Sequence, residues 1–139
     1  IGRSLKNRKV MTVFPNSDFG KFAKTHYKVI ERFGLVTLIE CKLETGRTHQ
    51  IRVHMHNIGH PLVCDPIYGN GEVIKLSSFK KKFNLSKKEE EERPLLSRLA
   101  LHAFALSFID RKGNQVELQA PLSKDLDASL KQMSKWASL

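Results

Sequence analysis

The chain has 139 residues, 40% of them hydrophobic, which is enough for one domain with a buried core and too apolar for a disordered tail. Its 24 Lys+Arg against 14 Asp+Glu give a formal charge of +10, a balance that favours a polyanionic partner such as nucleic acid. No apolar run is long enough to span a bilayer, and Cys41 and Cys64 lack metal-type spacing, so they read as free, semi-buried thiols in a reducing cytoplasm.

Residues 1–24 carry Arg3, Lys6, Arg8, Lys9, Lys21 and Lys24 around an apolar patch of Val10, Met11, Val13 and Phe14, and 15–18 read as a turn. The basic residues suit RNA phosphates as well as an ordinary exposed strand. From 26 to 33 the residues alternate with a period of two, Gly34 supplies a turn, and 36–43 continue as a second strand with Ile39, Cys41 and Leu43 on one face. So short a connection predicts an antiparallel hairpin.

The chain then breaks at Thr45-Gly46. The repeat of Ile51, Met55 and Ile58 predicts a helix near 48–58, capped by Thr48 and ended by Gly59 and Pro61. Arg52 lies on a flank of that helix, where its fork can enter a cleft while its stem packs on the body. Arg47, His49, Gln50 and His54 gather near the same end, which suits an anionic ligand or a merely solvated basic flank. His49, His54, His56 and His60 lie close in sequence, but no carboxylate or cysteine shares their helical spacing, so no metal is expected.

Residues 62–71 read as a loop in which Asp65 accepts backbone N–H groups and Tyr68 packs its ring and bonds through its hydroxyl. Residues 72–98 read as an exposed charged insertion, helical around 74–83, with lysines at 80–82 and 87–88 before glutamates at 89–92. From 99 to 109 both faces are largely apolar, predicting a central strand that pairs with 116–120 across a turn at 110–114. The final helix, 123–137, has Asp125 and Asp127 early, Lys131 and Lys135 late, and a stripe of Leu126, Leu130, Met133 and Ala137. These elements predict an α+β fold: a mixed, mainly antiparallel sheet holding both hairpins, with flanking helices.

The run Gly46-Arg47-Thr48-His49-Gln50-Ile51-Arg52-Val53-His54, followed by Gly59-His60-Pro61 and by Asp65-Pro66-Ile67-Tyr68-Gly69, resembles the RluA-type family of RNA pseudouridine synthases. Gly20-Lys21 with Thr25 to Val29, Leu101-His102-Ala103 with Leu106 and Phe108, and Ala120-Pro121-Leu122 resemble further segments of that family; 72–94 match poorly. The resemblance implies an enzyme without a cofactor that detaches uracil from ribose, rotates it and rejoins it through carbon. It implies that Arg52 pairs with a catalytic aspartate; Leu101 is a candidate for the lining of the uracil pocket, with packing in the core as its more ordinary role. Arg47 and His49 are the next candidates for contacts with ribosomal or transfer RNA; Gln50 and His54 suit such contacts or the orienting of the helix equally.

That aspartate belongs to a His-Arg-Leu-Asp motif, and none of Asp18, Asp65, Asp110, Asp125 and Asp127 has those neighbours. The family's active-site tyrosine lies upstream, so neither Tyr27 nor Tyr68 inherits its role. The chain starts at Ile1, inside a basic extended stretch. It is expected to be the C-terminal part of one catalytic domain, cut from a longer protein and inactive alone. Apolar surface left by such a cut is expected to cause self-association, visible by sedimentation. The alternatives are a non-catalytic basic RNA-binding module and a basic structural domain that binds another protein.

Overall fold

The computed structural model describes residues 1–16, 19–80, 82–85 and 91–137. The expected turn residues Ser17 and Asp18, and Lys81, Lys87, Lys88, Glu89 and Glu90 of the charged run, lie outside the described residues. The architecture is α+β: among the described residues six short strands pair as three antiparallel two-stranded ladders, accompanied by two α-helices.

The first ladder joins β1 (Gly2–Arg3) to β2 (Met11–Thr12). The second is the predicted hairpin, β3 (Thr25–Arg32) with β4 (Thr37–Leu43). Its register sets Thr25, Tyr27 and Val29 opposite Leu43, Cys41 and Ile39, and a bulge between Val29 and Glu31 shifts the pairing.

The central helix, α1, runs over Gln50–Asn57. Thr48 does not cap it. The cap residue is His49, whose backbone is left-handed at φ 56° and which makes no side-chain cap bond. Its other end follows expectation. Gly59 adopts φ 81°, and the N–H groups of Gly59 and His60 donate to His56 O and Met55 O, a pairing that closes the last turn. The buried face differs from the predicted stripe: Gln50, Val53 and Met55 are buried while Ile58 is half-exposed. Val53, 2% exposed, packs with Ile1 and Tyr68, and Val10, Met11, Val13 and Ala23 close around them. In so short a helix the segments laid across it, here β2, decide which face is covered.

Among the described residues of the charged insertion one turn of 3-10 helix forms, Leu76–Ser78, in place of the helix expected around 74–83. An isolated bridge between Ile74 and Leu96 closes its base, and Leu96 is buried. The third ladder joins β5 (Ala105–Ile109) to β6 (Gln115–Gln119). The expected central strand is thus shorter than 99–109, and among the described residues it has one neighbour and not two. Both of its faces are exposed, to 73% at Ile109. Its apolar faces are therefore real, but nothing among the described residues covers them. Helix α2 (Lys124–Trp136) follows. Met133 is buried and Leu126 and Leu130 are half-buried, as the stripe requires. Arg98 fastens its start by bonding Asp125 Oδ1 and Oδ2 and Ser123 Oγ.

Candidate active site

The turn at Gly59–Pro61 folds the chain back along α1. This brings Asp65 against Arg52, from which it is separated by 13 positions. Arg52 Nε donates to Asp65 Oδ2 at 2.8 Å and Nη2 donates to Oδ1 at 2.7 Å, a planar two-point pair. The carboxylate is 0% exposed and the arginine side chain 11% exposed. Asp65 Oδ1 also accepts the N–H groups of Ile67 and Tyr68, at 2.9 and 3.0 Å. Its carbonyl oxygen accepts the N–H groups of Gly69 and Gly71. A side chain at Gly69 would place its Cβ 2.9 Å from that carbonyl, so the loop closes this tightly only around glycine.

Tyr68 joins the pair to the rest of the molecule. Its ring faces the Arg52 guanidinium with the centroid 5.0 Å from Cζ, and its hydroxyl accepts the Met11 N–H at 2.9 Å. His49 Nδ1 lies 2.9 Å from the same hydroxyl, and the His49 ring meets the Tyr68 ring edge-on. A left-handed histidine costs about 1–2 kcal/mol, and this contact holds it in place. The second non-glycine residue with positive φ among the described residues is Cys64, at 57°, immediately before Asp65. Both strained positions therefore border this one site, as strain often does where geometry is functional.

Burial alone would raise the Asp65 carboxyl, but the Arg52 bonds and the Tyr68 and Ile67 amides outweigh it and lower the group from 3.8 to about 2. Asp65 in turn raises the Arg52 guanidinium. Because the folded value lies below the unfolded one, the pair stabilises the fold fully above pH 3.8 and stops doing so as pH falls through about 2. The gap corresponds to about 2 kcal/mol. Acid unfolding followed by circular dichroism should show this limb in the wild type. In Asp65→Asn it should be absent and neutral-pH stability lower; an unchanged acid limb would remove the pair from the stability account.

The other predicted residues take different places. Gln50 is buried at 3% exposure, and its amide is fully engaged. Oε1 accepts from Thr45 Oγ1 and the Arg47 N–H, and Nε2 donates to Lys24 O and Thr25 Oγ1. It clasps the helix to the start of β3 and leaves no amide group for an outside partner. His54 Nδ1 lies 2.9 Å from Thr25 Oγ1 on the same seam. Burial is the first cause that lowers its pKa from the usual histidine value. Arg47 is exposed, its Nε donating to Phe22 O at 3.0 Å. It lines a cleft with Arg3 and Lys21, beside Gly46 and Thr48, and no acidic side chain lines that cleft among the described residues. Leu101 is partly exposed and lies outside any strand, directly after Ala100, whose N–H donates to Val63 O in the segment that leads to Asp65. Among the described residues no three His, Cys, Asp or Glu side chains gather as metal ligands would.

What the sequence reading did not find is the union of Arg52 with Asp65. The signal was the helix-ending Gly59-His60-Pro61 turn, which must reverse the chain and lay the following loop along the helix. The roles given to Asp65 within its loop and to Tyr68 agree with the contacts seen.

A family model described as RNA pseudouridylate synthase matches residues 6–57, which include Arg47, His49, Gln50, Arg52 and His54. The ribosomal large subunit pseudouridine synthase D of Neisseria meningitidis serogroup B is 40% identical over 98% of this chain. An uncharacterised RNA pseudouridine synthase of Bacillus subtilis is 43% identical over 97% of it. The chain belongs to the RNA pseudouridine synthase family. It spans 37% of the length of each of those two relatives. In Pseudomonas aeruginosa another ribosomal large subunit pseudouridine synthase D is 58% identical over half of this chain. The chain has no His-Arg-Leu-Asp run, while both members of the Arg52–Asp65 pair lie within it.

Proposed function

We propose that this chain is the C-terminal part of the catalytic domain of a longer RNA pseudouridine synthase, and that it supplies the arginine, but not the nucleophile, of the active site. The carrying observation is Arg52: a guanidinium seated on a buried carboxylate, still partly exposed, on the helix that bears the family's longest motif. A carboxylate beside such a fixed group stays ionised and keeps one orientation, as an aspartate attacking a flipped uridine requires. The names of the relatives favour ribosomal RNA of the large subunit over transfer RNA. No cofactor enters this reading. The free thiols of Cys41 and Cys64 fit a reducing cytoplasm, and among the described residues no helix is long and apolar enough to cross a membrane.

The RNA backbone lies along the cleft of Arg3, Lys21 and Arg47 in this reading. His49 stands beside it, whereas Gln50 and His54 hold the helix to β3. Replacing Arg47 with Ala should weaken RNA binding by about 1 kcal/mol and flatten its salt dependence, the result of losing one charged phosphate contact. Filter binding over a salt series measures both; unchanged affinity and slope would place Arg47 off the RNA.

A second reading, a non-catalytic RNA-binding module, draws on the missing His-Arg-Leu-Asp motif. The reading frame before Ile1 separates the two. A His-Arg-Leu-Asp-type sequence there supports the enzyme, and a frame without one supports the module.

A further inference from the structure

The Arg52–Asp65 pair uses only one edge of the guanidinium. Arginine carries five N–H donors in a planar fork. The side edge, Nε–H with one Nη2–H, is spent on the two oxygens of Asp65. The end edge, formed by Nη1 and the second Nη2–H, finds no acceptor among the described residues. That edge alone can grip a second carboxylate at two points, in the plane already set by the first.

We propose that Asp65 is the positioning residue of the reaction: it holds Arg52 by the side edge so that the end edge faces the attacking aspartate. This rests on the assignment of Arg52 made above. Asp65 suits the task because it is itself immobilised. Its carboxylate is fully buried, is held by the Ile67 and Tyr68 amides, and sits in a loop pinned through Gly69 and Gly71. The Tyr68 ring closes one face of the guanidinium, so rotation out of the plane is opposed as well. The pair has no net charge. The attacking aspartate is therefore oriented by a two-point hydrogen bond without the full pull of an isolated cation.

The test is a double-mutant cycle in the full-length protein, read by single-turnover pseudouridine formation and by RNA affinity. Asp65→Asn keeps the shape and an oxygen for the Ile67 and Tyr68 amides but loses the charged grip. It should slow turnover about a hundredfold, as a misplacement near 1 Å does, with RNA affinity unchanged. In the Arg52→Ala background the same change should cost nothing further, because the group that Asp65 positions is already gone. A merely structural role would give the same loss in both backgrounds, and that result overturns the proposal. Normal turnover in Asp65→Asn with crippled Arg52→Ala overturns it too, and leaves the Arg52 assignment standing. Normal turnover in Arg52→Ala removes that assignment itself. Asp65→Glu, which keeps the charge on a longer arm, is run in parallel and should fall between wild type and Asp65→Asn. If neither Asp65 variant folds, the residue belongs to the scaffold and the proposal fails.

Discussion

Arg52→Lys in the full-length protein should fold, bind RNA as the wild type does, and form pseudouridine hundreds of times more slowly. The lysine keeps a positive charge over buried Asp65, so the fold does not inherit an unpaired carboxylate. What it loses is the plane: an ammonium cannot bond both Asp65 oxygens and grip a second carboxylate along a defined edge. Arg52→Ala goes further. Removing one partner of a desolvated ion pair costs about 3–5 kcal/mol, which at the transition state is roughly a hundred- to several-thousand-fold. Some of that cost falls on folding, because Asp65 is left charged and fully buried. The lysine variant is therefore the cleaner probe, with unfolding midpoints measured beside turnover. RNA affinity should move little in either variant, since phosphate contacts are spread over a chain with 24 lysines and arginines. Near-normal turnover in Arg52→Ala would end its assignment to the reaction.

The hairpin of β3 and β4 was legible because its alternation is local: each residue reports its own face, and the turn at Gly34 sits between. The end of α1 was legible for the same reason, since Gly59 and Pro61 act on their own backbone. The α2 stripe follows from spacing alone. What sequence did not disclose depends on distant partners. The buried face of α1 turns toward Val53 because β2 and Ile1 cover it, and no spacing within the helix encodes that. Sequence leaves Gln50 open between an RNA contact and orienting the helix, and only Thr25, Thr45 and Lys24 brought around its amide decide for the second. The apolar run at 99–109 implied strands on both sides, yet among the described residues β5 has β6 alone. Pattern records what a segment expects to meet, whether or not the partner is present. At the site, Arg52 was legible from the motif that carries it; its seat on Asp65 was not, because a helix, a turn and a loop must all close before the two meet.

The second large effect is the difference between this chain and the longer protein proposed to contain it. An arginine that orients a carboxylate accelerates nothing without that carboxylate. None of the five aspartates here stands in a His-Arg-Leu-Asp context, and Asp65 is closed off by Arg52 and two backbone amides. A fully buried carboxylate, lowered to about 2 and bonded through both oxygens to Arg52, is a poor nucleophile. The basic cleft of Arg3, Lys21 and Arg47 is intact, so the chain should still hold RNA in a salt-sensitive way while leaving its uridines unchanged.

The most direct test is single-turnover pseudouridine formation on large-subunit ribosomal RNA, run side by side with the 139-residue chain and the full-length protein. The account predicts conversion by the full-length protein and none by the chain; measurable conversion by the chain alone would contradict it.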